Sequence, residues 1–121
     1  MALYSVVVPV YNSEHTLKEL YSRLKNVFDN VLRRDFELLL VDDGSRDNSW
    51  AVMEGLRKKD PRVKIFQMAR NFGQHPALLC GFHYVSGDFV ITMDDDLQHL
   101  PEELPKMIGV MRWKWLPCCA T

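Results

Sequence analysis

Asp88-Phe89-Val90-Ile91-Thr92-Met93-Asp94-Asp95-Asp96-Leu97-Gln98-His99 is the stretch on which the fold of this chain turns. Its first half is β-branched and aromatic, the composition of a buried strand. Three carboxylates follow at once where that strand ends. Like charges this close repel, and each needs water, a cation or hydrogen-bond donors. If the backbone stays extended, Asp94, Asp96 and Gln98 share one side, because side chains alternate along a strand. Two carboxylates and an amide oxygen on one side suit a hard divalent cation, Mg2+ or Mn2+, with a diphosphate completing its shell. The competing reading is an acidic turn in solvent.

Upstream, three more apolar runs stand in the same relation to polar residues. Tyr4-Ser5-Val6-Val7-Val8-Pro9-Val10 does not alternate, so it reads as a strand buried on both faces. Pro9 marks its end, and Tyr11-Asn12 follow. Phe36-Glu37-Leu38-Leu39-Leu40-Val41 runs into the turn Asp42-Asp43-Gly44-Ser45. Val63-Lys64-Ile65-Phe66-Gln67-Met68 runs into Arg70-Asn71-Phe72-Gly73. Between the runs lie helical patterns. Leu17, Leu20, Leu24, Val27, Phe28 and Val31 recur at helical spacing, with Lys18, Arg23, Lys25 and Asp29 opposite. A second helix, capped by Asp47 or Ser49, turns Trp50, Met53 and Leu56 inward and ends near Lys58-Lys59-Asp60-Pro61. A third covers residues 76–85, with Ala77, Leu78 and Gly81 allowing close approach to the sheet, and Ser86-Gly87 breaks it. Pro101-Glu102-Glu103 opens a last helix, with Pro in its first turn and acids near its positive end.

Strands and helices alternate four times, which predicts an α/β class with a mainly parallel sheet. Open sheets of this kind bind ligands beyond the carboxyl ends of their strands. Four polar clusters, each directly after a strand, therefore converge on one edge. That convergence favours a ligand site over a solvated turn for the Asp cluster.

Composition narrows the classes of function. The chain has 121 residues, 47% of them hydrophobic and 26% charged, and a net charge of -1. This suits one globular domain and gives no electrostatic footprint for nucleic acid. The three cysteines, Cys80, Cys118 and Cys119, form no C-x-x-C, so neither a disulfide framework nor a zinc site is indicated, and a reduced compartment is the simpler expectation. Met1-Ala2-Leu3-Tyr4 lacks a basic signal-peptide start, and Val6 to Val10 is too short for its apolar core. No segment reaches the ~20 apolar residues that span a bilayer. The expectation is a soluble or peripheral protein. There is no G-x-G-x-x-G after the first strand, no Walker A motif and no G-x-S-x-G elbow.

Several side chains keep two readings at this stage. Tyr11 can stack on a base or pack over the sheet end. Asp42 and Asp43 can accept hydrogen bonds from a base N–H or ribose hydroxyls, or Asp42 can bond its own backbone in a turn. Arg70 can hold a phosphate or be a surface cation. His75 and His99 read as structural or surface residues.

Taken in order, Ser5-Val6-Val7-Val8-Pro9-Val10-Tyr11-Asn12, Val41-Asp42-Asp43-Gly44-Ser45-Arg46-Asp47, Arg70-Asn71-Phe72-Gly73 and Met93-Asp94-Asp95-Asp96-Leu97-Gln98 resemble the inverting family 2 glycosyltransferases of GT-A fold, a Rossmann-like three-layer α/β/α architecture. The resemblance covers about residues 4 to 111 and leans to the branch that uses polyisoprenyl phosphates, dolichyl or undecaprenyl. It implies transfer of a sugar from a nucleotide-diphosphate sugar to a polyisoprenyl phosphate, with inversion. It implies that Pro9, Tyr11, Val41 and Asp43 meet the nucleotide base and ribose. Asp94, Asp95 and Asp96 match the family's Asp-x-Asp motif at the nucleotide, with Asp94 and Asp96 the catalytic pair, Mg2+ or Mn2+ on Asp94 and Asp96, and Gln98 a further metal ligand. A family 2 transferase acting on a saccharide hydroxyl, or a non-catalytic nucleotide-sugar-binding fragment, are the alternatives.

Three positions depart from the resembled branch. Asp95 stands where its members usually carry Ala, and Ser13 where they usually carry Glu, with Glu14 next door. The third departure is the tail. Family members continue into an acceptor-binding region, whereas Met111-Arg112-Trp113-Lys114-Trp115-Leu116-Pro117-Cys118-Cys119-Ala120-Thr121 does not continue the expected strand. The expectation is a nucleotide-sugar-binding domain over residues 1–110, truncated, with an atypical tail over 111–121. Trp113 and Trp115 beside basic residues suit a membrane interface or simple packing. The expected setting is cytoplasmic, at the inner face of a membrane through the acceptor or the missing region. Homo-oligomers are a further expectation, because an open sheet edge invites pairing.

Overall fold

Every strand pairing is parallel, and helices alternate with the strands throughout. The computed structural model describes residues 3–97 and 101–105. β1 (Leu3–Val10) leads through α1 (Leu17–Asn26) and a π-helical turn (Val27–Leu32) to β2 (Asp35–Asp42). α2 (Ser49–Lys59) leads to β3 (Val63–Gln67), and α3 (Gln74–His83) to β4 (Phe89–Thr92). A 3-10 turn occupies Pro101–Glu103, where the sequence predicts the opening of a helix. Gln98, His99 and the 111–121 tail lie outside the described residues.

The sheet order is β3-β2-β1-β4. β1 pairs with β2 from Leu3↔Asp35 to Val10↔Asp42, and with β4 from Tyr4↔Phe89 to Val7↔Thr92. The chain thus winds outward to β3 and then returns to the far side of β1. The reversal opens a crevice at the carboxyl ends of β1 and β4, the place where open α/β sheets take ligands. Pro9 is tolerated in this inner strand because β4 ends opposite Val7, so no ladder partner there requires the missing N–H.

Both faces of the sheet are covered, which is why its strands are apolar at successive positions. Val6, Val8 and Val10 of β1 and Leu38 and Leu40 of β2 share a core with Leu17, Leu20, Leu24, Met53 and Leu56 of α1 and α2. Val7, Leu39 and Val41 are buried as well, on the side where α3 lies. A Cβ on Gly81 of α3 would stand 2.4 Å from Val7 Cγ1 and 3.4 Å from Val41 Cγ2. Glycine is therefore what lets α3 sit directly on the strands. Each such Val or Leu taken from water stabilises the fold by roughly 1.5–3 kcal/mol.

Two expectations about the helices need correction. Val31 does not continue the apolar stripe of α1; it is 58% exposed. The wide turn over Val27–Leu32 inserts extra residues per turn, and the 3.6-residue phase is lost. Phe28 still stacks on Phe36 at 4.7 Å, and Leu32 rather than Val31 packs against the core. The third helix begins at Gln74, not Pro76, because Gly73 at φ 104° ends the preceding loop and Pro is accommodated in a helix's first turn. At the start of α2 the Asp47 carboxylate accepts both the N–H and the hydroxyl of Ser49, at 2.9 and 2.6 Å. Burial raises the Asp47 pKa, but these bonds outweigh it and hold the carboxyl below its ordinary range.

Two polar clusters tie the far end of the sheet together. Glu37 is buried in β2 and accepts from Ser5 Oγ, Ser86 N–H and Lys64 Nζ, at 2.5, 2.6 and 2.6 Å. Burial raises its pKa, yet the bonds from Lys64, Ser5 and Ser86 bring it below the usual carboxylate value. Asp60 accepts from Tyr21 Oη at 2.7 Å and Arg62 Nη2 at 3.0 Å, while Arg62 also pairs with Asp29 at 2.8 Å. This cluster joins α1, the π turn and the α2–β3 junction.

Candidate active site

A cleft of about 410 Å³ opens at the carboxyl ends of β1 and β4. Pro9, Val10 and Tyr11 line it from the end of β1, Asp43 from just after β2, Asn71 and Gly73 from the loop before α3, and Gln74 from its first residue. Asp94, Asp95 and Asp96 line it from the segment after β4. A second cleft of about 510 Å³ adjoins it, lined by Gly44, Arg46, Gln67, Met68 and Arg70, with Tyr11 and Asn71 common to both. Four separated polar segments thus meet at one sheet edge, as their positions after strands predict. Val41 is placed differently: its side chain is fully buried under α3 and lies outside the lining of either cleft.

The loops that shape the cleft are bonded to one another. Asp43 is buried, and its two carboxylate oxygens accept the N–H groups of Phe72 and Gly73, at 2.9 and 3.0 Å. It therefore fixes the loop between β3 and α3 across the site. Asp42 accepts the Ser45 N–H at 3.0 Å, the turn-forming role, and completes the bend into Gly44. Gly44 has φ 76°, and a Cβ there would come within 2.6 Å of the Asn71 nitrogen. Only glycine lets the two loops pass so closely. Asn12, at φ 51°, accepts from Arg46 N–H and donates its own N–H to Ser45 Oγ. Arg70 is exposed, with its guanidinium over the Phe72 ring at 4.9 Å.

The acidic segment does not stay extended. Residues 95–97 form a turn, with Leu97 at φ 63°. The strand alternation that would put Asp94 and Asp96 on one side is therefore broken after Asp94. The physical reason lies in the middle acid. Asp95 Oδ2 accepts the Tyr11 N–H at 2.9 Å and the Ser13 hydroxyl, and its carbonyl oxygen accepts the Thr16 hydroxyl at 2.6 Å. Ser13 and Asp95, two positions where the sequence departs from the resembled branch, are partners. Glu14 takes no part in that contact; its N–H donates to Asp47 at 3.2 Å. Gln74 Nε2 donates to Asp94 Oδ1 at 3.1 Å. Asn71 and Gly73 belong to the polar cluster that follows β3, whereas Gln74, the first residue of α3, is a lining residue to which pattern reading assigned no role.

Among the described residues, no three His, Cys, Asp or Glu side chains converge into a preformed metal shell. The donor set still fits a hard cation of the Mg2+ type. Such ions are held by one or two carboxylates, with ligand phosphates and water completing the octahedron. Asp94 and Asp96 supply hard oxygens at the cleft. No helix among the described residues is long and apolar enough to cross a membrane.

Similarity to known proteins agrees with this geometry. Residues 5–118 match the model of glycosyl transferase family 2. The chain is 46% identical over 106 residues to the undecaprenyl-phosphate 4-deoxy-4-formamido-L-arabinose transferase of Shewanella sediminis (strain HAW-EB3), covering 87% of this chain and 32% of that protein. It is 44% identical over 111 residues to the uncharacterized glycosyltransferase YkcC of Bacillus subtilis (strain 168), covering 92% and 33%. The chain therefore spans about one third of the length of these relatives. In structure it resembles TarS 1-349 of S. aureus, solved in complex with UDP-GlcNAc, with a TM-score of 0.74 and 28% identity over 92% of this chain and 31% of that one. The parallel sheet, the cleft at its reversal and these matches place the chain, with its GT-A fold, in glycosyl transferase family 2.

Proposed function

We propose that this chain carries the donor half of an inverting transferase that moves a sugar from a nucleotide diphosphate to a polyisoprenyl phosphate, with Mg2+ or Mn2+ at the diphosphate. The observation that carries the reading is the convergence of Pro9, Tyr11, Asp43, Asp94, Asp95 and Asp96 on one cleft at the sheet reversal. The identity to an undecaprenyl-phosphate sugar transferase supports the choice of acceptor.

In this reading the exposed Tyr11 ring offers a face to the base. Asp43 keeps the Phe72 and Gly73 backbone in place as a wall of the pocket. Asp94 and Asp96 would hold the cation, and Gln98 is proposed as a further ligand. The cation, when bound, neutralises charge building on the departing diphosphate. A phosphate acceptor is already an anion, so the chain needs no side chain to take a proton from it. That suits a cleft whose described lining has carboxylates and amides but no histidine.

Labelled nucleotide sugars, incubated with undecaprenyl phosphate and either this chain or a full-length relative, test the reading. Lipid-linked sugar formed by the full-length relative, together with donor binding by this chain, is the expected result. Transfer to saccharide hydroxyls alone would overturn the acceptor assignment. Isothermal titration calorimetry tests the metal. Nucleotide diphosphate is expected to bind more tightly with Mg2+ or Mn2+, and Asp96→Ala to abolish the difference. Equal affinity in the presence of a chelator would overturn it.

A further inference from the structure

The middle carboxylate of the acidic segment is engaged inside the protein. Its Oδ2 accepts from Tyr11 N–H and Ser13 Oγ, residues 84 and 82 positions away, and its backbone carbonyl accepts from Thr16 Oγ1. These three bonds cross the crevice between β1 and β4. Asn12, left-handed at φ 51°, bends the chain so that the amide before it and the hydroxyl after it reach one carboxylate oxygen. Ser13 is held from behind as well, since its N–H donates to the buried Ser49 Oγ at 2.7 Å. The β1–α1 loop is therefore fixed between the end of β4 and the start of α2.

Tyr11 is the residue this arrangement positions. Tyr11 is 43% exposed and stands at the boundary of the 410 Å³ and 510 Å³ clefts. An exposed ring on a free loop would sample many orientations, and ordering it at the moment of binding would cost affinity. An amide bonded to a carboxylate is among the stronger hydrogen bonds available to fix a loop. Like-charge repulsion from Asp94 and Asp96 also favours a geometry in which Asp95 faces donors of its own.

We propose that Asp95 is a positioning residue: it sets Tyr11 at the wall of the nucleotide pocket through the Tyr11 amide and Ser13 hydroxyl, and does not itself touch nucleotide or cation. The proposal rests on the donor-site reading above. It divides the acidic segment into two tasks, with Asp94 and Asp96 directed to the phosphate end and Asp95 to the base end.

The test compares Asp95→Ala, Asp95→Asn and Ser13→Ala with the parent chain, using UDP, GDP and inorganic pyrophosphate as probes in the presence of Mg2+. Hydrogen exchange of the Tyr11 amide is followed without ligand. Asp95→Ala is expected to weaken the preferred nucleotide roughly tenfold or more, the loss expected for a hydrogen bond to a charged acceptor. It should leave pyrophosphate affinity within about twofold, since the phosphate end is untouched. Tyr11 exchange should accelerate. Asp95→Asn keeps an acceptor oxygen and should restore most of the nucleotide affinity. Ser13→Ala should weaken nucleotide less than Asp95→Ala and add little to it, because both act through one contact. Pyrophosphate affinity falling in step with nucleotide affinity would place Asp95 at the phosphates and overturn the proposal. Asp95→Asn as damaging as Asp95→Ala while Tyr11 exchange stays at the parent rate would show that the charge acts other than through the Tyr11 contact, and would overturn it too. If the parent chain binds neither UDP nor GDP, the donor-site reading falls and this proposal with it. If the parent binds and Asp95→Ala binds equally well, only the present proposal falls.

Discussion

Asp43 shows how a residue at a cleft can also build the wall of that cleft. Both its oxygens hold backbone amides of the loop that walls the cleft. Asp43→Ala would leave the Phe72 and Gly73 N–H groups without that acceptor, and losing one partner of a buried hydrogen bond costs about 1–3 kcal/mol. The expected outcome is a drop of that size in the free energy of urea unfolding, with weaker binding of nucleoside and nucleotide alike. Unchanged stability with lost binding would mean that Asp43 acts on the ligand directly. The sequence made Asp43 legible as a site residue, because an acid after a buried strand is conspicuous. Its actual partners were not legible, since they come from a loop 29 and 30 positions away. Asp95 repeats the lesson. From the sequence, Asp95 goes to the nucleotide beside Asp94 and Asp96, which also take the metal, while the structure bonds its carboxylate to Tyr11 and Ser13. Only the three-dimensional neighbourhood distinguishes one carboxylate from the next.

Elements were read most reliably where periodicity persisted. The four strands and the phase of α1 through Phe28 follow from apolar spacing, and the sequence misplaces Val31 because a π-helical turn leaves no mark in composition. Polar substitution of Val31 should therefore change stability by no more than about 0.5 kcal/mol, whereas Leu24→Ala in the same helical stripe should cost roughly 2–5 kcal/mol. Urea denaturation of the pair checks both. Gly81 makes the opposite prediction for α3. With Val7 2.4 Å from where its Cβ would be, Gly81→Val should push the helix off the sheet. The expected cost is about 1–3 kcal/mol, the usual range for overpacking. The α2–β3 junction sets the response to pH. Burial raises the Asp60 pKa, but Arg62 and Tyr21 outweigh it and bring the value from 3.8 to about 2. A depressed pKa means stability that is present above pH 4 and is lost as pH falls from about 4 toward about 2. Because Arg62 is partly exposed, solvent screening limits the effect to on the order of 1–2 kcal/mol. Burial and the Asp60 bond raise Tyr21 to about 12, so its share is kept below pH 10 and lost as pH rises toward 12. Unfolding midpoints measured across pH should fall at both extremes, and Asp60→Asn should flatten the acid limb.

At the scale of the molecule, the chain holds the cleft proposed for a donor and spans about one third of its relatives. Positioning two reactants together can contribute about 7–11 kcal/mol to lowering a barrier. Losing half of that would slow transfer by a factor of roughly hundreds to ten thousand. The isolated chain is thus expected to bind nucleotide sugar and to form lipid-linked product far more slowly than a full-length relative, as measured with labelled donor. Equal rates would show that nothing beyond this segment is needed. The open-sheet class and a cleft at the carboxyl ends of the strands were legible from alternation of strand and helix patterns, but the strand order that puts the reversal between β1 and β4 was not. The central place of β1 has a consequence for how the site comes into being. β1 meets β2 early along the sequence, but its other neighbour arrives late, with Leu3 N–H bonded to an Asp88 carboxylate 85 positions on. Contacts so distant in sequence form slowly, since a long loop must close before any bond rewards it. The three-strand half can assemble first, with β4 docking last. Asp94, Asp95 and Asp96 ride on that final strand, so the ligand cleft is born only when folding finishes, and nucleotide should slow amide exchange across β4 more than across β2 or β3.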